Sequence, residues 1–231
     1  MTAPALLLLA HGTRDPAGSV TTERVAARAR QALGVPVAVS YVDVRRPTPG
    51  DALAGLPGPC VAVPMFLAAG YHVRVDVPEQ LRATGRNDVL LAEAFGPDPL
   101  LVEAAAQRLD EAAAGPDDAV VLAVVGSSDP RARADGALAA RRLGRVLGRP
   151  VTLATTAMGG PRVPEAVARL RAEGTRRVAV ASWLLAPGLF HRQLGESGAD
   201  AVAEPLADHE AVIDLVAQRY HAALGAAARS A

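Results

Sequence analysis

The sequence predicts an α/β protein of two tandem, doubly wound domains, each a four-stranded parallel sheet flanked by helices. Two observations lead to this fold class. Short apolar runs bounded by Gly and Pro alternate with longer Ala/Arg/Leu segments, as strands and helices alternate around a sheet that is covered on both faces. Distinctive motifs of the first half also recur in the second half in the same order, which indicates an internal duplication.

The repeated motifs follow apolar runs in both halves. Residues 12–16, Gly-Thr-Arg-Asp-Pro, are matched by Gly-Ser-Ser-Asp-Pro at 126–130. Residues 66–72, Phe-Leu-Ala-Ala-Gly-Tyr-His, are matched by residues 184–191, with one residue inserted before the histidine. A polar Gly/Pro stretch between the halves suits a short linker. We therefore expect an N-terminal domain over 1–115 that carries the active site and a C-terminal, degenerate repeat over 119–231.

Capping residues in both halves mark the ends of the predicted helices. Asp98-Pro99 and Asp129-Pro130 each combine a good N-cap with proline at the first helical position. Gly34 and Gly148 follow long helical segments, where a left-handed C-cap is expected. The predicted strands of the first half lie near 5–10, 37–43, 60–66 and 89–94, and the predicted helices near 18–33, 49–55, 75–84 and 99–114.

The composition excludes several classes of function. The 24 basic and 24 acidic residues balance, so the charge that a nucleic-acid-binding protein normally carries is absent. Every basic residue is arginine, and Cys60, the only cysteine, cannot form an internal disulfide. The N-terminal apolar run lacks the preceding basic segment of a signal peptide, and no run is long enough to span a membrane. We expect a cytoplasmic protein, monomeric because the duplication mimics a homodimer.

Two histidines come after predicted strands of the first half. His11 follows the apolar run 5–10, and His72 lies on the segment leaving the strand near 60–66. Ligands bind outside the carboxyl ends of the strands in such sheets, so both imidazoles should lie at one edge. A lone histidine at a strand end is more often structural. Two on the same edge favour a functional site.

Further polar residues are expected near this edge. Asp43 ends the strand near 37–43, and two histidines with one carboxylate would resemble a facial metal site with open positions. A solvated strand-end residue or helix cap is the alternative interpretation for Asp43, and helix capping or solvation is the better one for Asp76 and Glu79. Arginines suit the recognition of carboxylates, although each one alone is more often a surface group. The four arginines predicted to bind substrate are Arg14, Arg45, Arg46 and Arg74.

The second half keeps the scaffold and loses this predicted site. Val125 stands where His11 stands in the first half, and His191 is displaced by one residue. We therefore expect this half to form the other wall of a cleft. His209 and His221 are interpreted as structural or solvent-exposed.

The two motifs together resemble the sirohydrochlorin chelatase family in its long, duplicated form, which is similar to the small cobaltochelatases of the cobalamin pathway. The residues that carry the resemblance are His11-Gly12-Thr13-Arg14-Asp15-Pro16 and the stretch 63–78 around His72. The resemblance implies chelatase-like domains and ATP-independent insertion of a divalent metal into a tetrapyrrole, with no prosthetic group. It also implies that His11 and His72 are the active-site histidines and that Asp43 stands where members often carry Glu.

The metal and the mode of action leave alternatives open. Iron, giving siroheme, is favoured because no cobalamin-specific feature is visible, and insertion of cobalt toward cobalamin is the alternative. A non-catalytic carrier of tetrapyrrole or metal belongs to a different class and would saturate at one ring per chain. A histidine phosphatase also carries His-Gly after its first strand, but it needs Arg directly before that histidine, where this chain has Ala10.

Overall fold

The computed structural model of the protein describes residues 3–230 and confirms the predicted fold class. Two four-stranded sheets have the strand orders β2-β1-β3-β4 and β6-β5-β7-β8, and every strand pair is parallel. A helical segment follows each strand. The elements of the first sheet are β1 (Ala5–Ala10), α1 (Pro16–Leu33), β2 (Val37–Tyr41), α2 (Pro49–Ala54), β3 (Cys60–Pro64), a π-helix (His72–Asp76), α3 (Val77–Ala83), β4 (Val89–Leu91) and α4 (Pro99–Glu111).

The second half repeats this order, as the duplication predicts. Its elements are β5 (Ala119–Val124), α5 (Pro130–Leu147), β6 (Val151–Thr155), α6 (Val163–Ala172), β7 (Val178–Ser182), α7 (Leu189–Gly195), β8 (Ala201–Val202) and α8 (Glu210–Ser230). The central strands β1 and β3 of the first sheet are buried along their whole length, because helices cover both faces of the sheet. That burial explains why their sequences are continuous apolar runs without alternation.

Local sequence signals set several of the helix ends. The side chains of Asp98 and Asp129 accept hydrogen bonds from the backbone at the starts of α4 and α5. Gly34 and Gly148 adopt the left-handed conformation that ends α1 and α5, as predicted. Within residues 3–230, no helix combines the length and the apolar character that crossing a membrane requires.

Several predicted element ends differ from the structure by a few residues, and two of these differences concern the predicted site. β2 ends at Tyr41, so Asp43 lies in the loop after the strand and does not end it. The helix predicted over 75–84 begins earlier, as a π-helix from His72, so His72 does not lie on an open loop. The predicted start at residue 75 misses the first part of this helical segment, and Pro78 falls in the first turn of α3.

The chain packs into two compact units that do not follow the sequence halves. The first unit contains the residues up to Phe95 together with those from Glu210 onward, and the second contains Gly96–His209. The last helix of each half therefore belongs to the unit formed mainly by the other half. The predicted domain boundaries, 1–115 and 119–231, follow the sequence repeat. As domain boundaries they stay a prediction.

Candidate active site

The structure brings the rings of His11 and His72 together at the carboxyl edge of the first sheet. Their centroids lie 4.8 Å apart, with an angle of 45° between the ring planes. The two residues come from neighbouring parts of the sheet, because His11 follows β1 and His72 follows the loop after β3, which pairs directly with β1. Both imidazoles can therefore contact the same small ligand.

The edge of the His11 ring is close to another aromatic group. Phe66 lies with its ring centroid 6.3 Å from that of His11 in an edge-to-face arrangement. Phe66 comes just past the end of β3 and is half-buried against the core of the first sheet. The imidazole pair thus lies beside an apolar surface, which suits a flat, largely apolar ring.

The surroundings of His11 favour its neutral form. Partial desolvation lowers the pKa of His11, and the neighbouring His72 lowers that pKa further. The carboxylates of Asp43 and Asp76 act in the opposite direction without cancelling the effect. A neutral imidazole can bind a metal ion or accept a proton, so His11 is in the state that either role requires.

Asp43 is close enough to influence His11 but is not part of an assembled metal site. Its side chain is exposed, and Oδ1 accepts a hydrogen bond from the backbone N–H of Val44 at 2.7 Å. In the described part of the chain, no group of three or more His, Cys, Asp and Glu side chains is arranged to hold a metal ion. Asp43 as a metal ligand beside His11 and His72 therefore stays a prediction.

Gly12 fixes the position of His11 relative to the loop after β2. Gly12 has φ of +100°, and a Cβ added there would overlap the carbonyl oxygen of Asp43. The backbone N–H of Asp43 also donates to the carbonyl oxygen of His11 at 3.0 Å. The two loops approach so closely that only glycine fits between them.

Two side chains hold the same loops from outside. Arg45 Nη1 donates to the carbonyl oxygen of Thr13 at 3.3 Å, and Gln80 Nε2 on α3 donates to the carbonyl oxygen of Val42 at 2.8 Å. The guanidinium of Arg45 also lies 6.0 Å from the centre of the Tyr41 ring. The site is therefore supported by hydrogen bonds from α3 and from the loop after β2.

The other predicted arginines lie around the edge in different environments. Arg46 is exposed and pairs with Asp51 at 2.9 Å, at the start of α2. Arg74 is exposed, and its Nε donates to the carbonyl oxygen of Ala69 at 3.2 Å. Arg14 is exposed two residues after Gly12. Arg45 therefore supports the loops and Arg46 pairs with a carboxylate, whereas Arg14 and Arg74 are exposed, and substrate binding by these arginines stays a prediction.

Sequence reasoning missed the role of Asp76, which it assigned to helix capping or solvation. A carboxylate oxygen of Asp76 contacts Nδ1 of His72 across one turn of the π-helix. The His-x-x-x-Asp spacing is the signal that could have found this pair, since residues four apart share one face of a helix. Asp76 thus belongs to the site, next to the histidine pair.

The second unit repeats the scaffold of this edge without its chemistry. A Cβ on Gly126 would overlap the carbonyl oxygen of Met158, which reproduces the close approach at Gly12. Val125, in the place of His11, is exposed, and Met158 is exposed beside it. His191 Nε2 lies 3.3 Å from the carbonyl oxygen of Ala203. The role of this half as the wall of a cleft stays a prediction.

The remaining histidines and a cavity of the second unit have other surroundings. His209 Nε2 lies 2.8 Å from Oε1 of Gln107, and His221 is exposed with its ring beside Tyr220. A cavity of 820 Å³ in the second unit is lined by residues that include the ion pair of Arg177 with Asp118. It lies at the start of β5, the opposite end from the strand ends that carry sites in such folds.

Comparison with known proteins identifies relatives of both halves. The CbiX family model matches residues 5–112 and again 119–223. A sirohydrochlorin ferrochelatase from Priestia megaterium is 24% identical over 208 residues, covering 83% of this chain and 77% of that protein. A sirohydrochlorin cobaltochelatase from Methanothermobacter thermautotrophicus is 28% identical over 130 residues, covering 46% of this chain and 91% of that protein.

Solved structures share the fold over nearly the whole chain. SirB from Bacillus subtilis with Fe3+ has a TM-score of 0.82 at 20% identity, and the match covers 96% of each chain. CbiX, described as the terminal enzyme for siroheme biosynthesis in denitrifying bacteria, has a TM-score of 0.68 at 20% identity, covering 95% of this chain and 98% of that one. At such identities the likeness concerns the fold alone.

Proposed function

The chain belongs to the CbiX family, and from that premise we propose that it inserts a divalent metal ion into sirohydrochlorin without ATP, using His11 and His72. The observation that carries this proposal is the imidazole pair at the carboxyl edge of the first sheet, with ring centroids 4.8 Å apart. The metal ion and the tetrapyrrole are substrates here, and no prosthetic group is needed.

The chemistry of insertion fits this pair of side chains. The incoming ion must lose water ligands, and the two pyrrole N–H groups must lose their protons as the metal–nitrogen bonds form. Neutral imidazoles can replace water on the ion and can accept protons. The lowered pKa of His11 keeps that imidazole neutral, and the apolar surface around Phe66 suits the face of the macrocycle.

We favour Fe2+ as the metal, which would make the product siroheme. The support is that no cobalamin-specific feature is visible in the sequence and that a ferrochelatase relative matches 83% of this chain. Insertion of Co2+ for cobalamin is the alternative, and the arrangement of His11 and His72 suits either ion. The cytoplasmic location and the monomeric state remain predictions from the sequence.

A metal-competition assay tests the proposed reaction and the proposed metal together. Purified full chain is incubated anaerobically with sirohydrochlorin and Fe2+, Co2+ or an equimolar mixture, and the product is identified from its absorption spectrum. We expect enzyme-dependent metallation, with siroheme as the main product of the mixture. Enzyme-dependent cobalt product from the mixture would favour the cobalamin alternative, and rates equal to those without enzyme would refute both.

The exposed arginines should affect binding of the substrate more than the chemical step. Sirohydrochlorin carries eight carboxylates, and an exposed ion pair is worth roughly 0.2–1 kcal/mol. We expect Arg14→Gln and Arg74→Gln each to raise KM for sirohydrochlorin about two- to fivefold with kcat nearly unchanged. Arg82→Gln, at the far end of α3, is the matched control and should leave KM unchanged. Unchanged KM in both edge variants would remove these two arginines from the binding surface.

The pKa of His11 gives a pH prediction with a definite sign. Since that pKa is lowered from 6.5, His11 should titrate below 6.5, and the part of the rate that depends on its neutral form should be lost only below that pH. The unfolded chain binds this proton more readily, so the corresponding stability is present above pH 6.5 and declines as the pH falls toward the lowered pKa. NMR titration of the ring signals, with His11 assigned from a His11→Gln variant, measures the midpoint. A midpoint at or above 6.5 would contradict the prediction.

A further inference from the structure

The two histidines of the site have different immediate partners. In the described part of the chain, the ring of His11 has no hydrogen-bond partner, whereas Nδ1 of His72 contacts the Asp76 carboxylate. A carboxylate can only accept a hydrogen bond, so Nδ1 of His72 must carry the proton and donate it. The proton of a neutral imidazole is then fixed on Nδ1, and Nε2 keeps its lone pair.

The backbone around Asp76 makes this contact a built feature of the fold. The π-helix is closed by a hydrogen bond from the N–H of Val77 to the carbonyl oxygen of His72. Val77, the next residue after Asp76, is fully buried in the core of the first sheet with Leu7 and Leu9 of β1. The burial of Val77 thus anchors the backbone next to Asp76 in the core, and the Asp76 carboxylate contacts His72 on the same face of the π-helix. Single π-helical turns often occur at functional sites.

The side chains of His72 and Asp76 are both partly exposed, so His72 can contact a ligand while it keeps its contact with Asp76. The exposed fraction is 45% for the His72 side chain and 25% for that of Asp76. The imidazole of His72 is the more exposed of the two and can reach a substrate, whereas the carboxylate of Asp76 is the more buried. A hydrogen bond between a ligating histidine and a carboxylate is the usual means of fixing the tautomer and ring orientation of such a histidine.

We infer that Asp76 is a positioning residue, which holds His72 with its proton on Nδ1 and thereby presents the unprotonated Nε2 to the metal ion or the pyrrole N–H. The inference rests on the proposed function for its catalytic part. Its structural part concerns the tautomer of His72, which can be measured in the absence of any substrate.

The direct test is the 15N NMR spectrum of the histidine rings in the full chain, labelled at histidine, at about pH 8, where an ordinary imidazole is neutral. We expect wild-type His72 to carry its proton on Nδ1. In Asp76→Ala the imidazole is released and should place its proton largely on Nε2, whereas Asp76→Glu should partly restore the wild-type pattern. Glu79→Ala removes an exposed carboxylate from the first turn of α3 and is the matched control, with no expected change.

The steady-state rates of metal insertion by the same variants test whether Asp76 affects catalysis. Asp76→Ala should lower kcat roughly 10- to 100-fold, the usual effect of removing such a partner, with KM for sirohydrochlorin changed little. Asp76→Glu should recover part of this loss, and Glu79→Ala should match the wild type. A wild-type His72 with its proton on Nε2, or an Asp76→Ala variant that is folded and has normal kcat, would overturn the inference. If Asp76→Ala changes the tautomer of His72 but the wild-type chain inserts no metal, Asp76 still positions His72 and the proposed function is refuted.

Discussion

His11→Ala and His72→Ala should each lower kcat for metal insertion by roughly 100-fold or more, since general acid–base catalysis alone contributes about 10²–10⁴-fold. Each variant removes one of the two imidazoles whose centroids lie 4.8 Å apart. Both side chains are open to solvent at the sheet edge, so truncation leaves no large core cavity and the melting temperature should stay near that of the wild type.

The matched control for these variants is His221→Ala, which removes an exposed histidine of α8 from the same unit. It should leave kcat and the melting temperature unchanged. The measurement is the initial rate of product formation at saturating metal and sirohydrochlorin, corrected for metallation without enzyme. A folded His11→Ala or His72→Ala variant with wild-type kcat would show that the pair does not carry the reaction.

Gly12→Ala should both destabilise the chain and abolish most activity. The added Cβ would overlap the carbonyl oxygen of Asp43, and the φ of +100° is itself unfavourable for alanine. To relieve this overlap, the loop that carries His11 or the loop that carries Asp43 must shift. We expect a loss of roughly 1–3 kcal/mol in the free energy of unfolding, together with a large fall in kcat.

Two other glycines separate the causes of this effect. Gly34 also has a positive φ, of +66°, but an added Cβ there meets nothing within 4 Å, so Gly34→Ala measures the backbone cost alone. Gly126→Ala creates the equivalent overlap, with Met158, in the unit that lacks the histidine pair. We expect Gly126→Ala to lower the melting temperature about as much as Gly12→Ala while lowering kcat less. Chemical denaturation and initial rates measure both quantities, and a Gly12→Ala variant indistinguishable from Gly34→Ala would contradict the steric argument.

The fold could be predicted because burial on both faces leaves a strong trace in the sequence. The central strands are continuous apolar runs, and Asp-Pro and Gly mark the helix ends at Asp98, Asp129, Gly34 and Gly148. The convergence of His11 and His72 follows from the rule that parallel strands end at a common edge. The roles of these two histidines, of Asp43 and of the four arginines remain predictions.

Other features left too weak a trace to be predicted. The π-helix at His72–Asp76 contains Val73 and Val75, and β-branched residues disfavour helical backbone, whereas the sequence predicts a helix only from residue 75 onward. The placement of α4 and α8 in different compact units also has no local signal. Both helices are apolar on one face and could cover either sheet, so tertiary packing decides between them.

A multiple-turnover assay distinguishes a chelatase, which releases its product and acts again, from a carrier. Sirohydrochlorin and Fe2+ are supplied anaerobically in large molar excess over the full chain, and metallated product is followed to completion. We expect many metallated rings per chain and an initial rate proportional to the concentration of protein. Product that stops at one ring per chain would contradict this expectation and would identify a carrier.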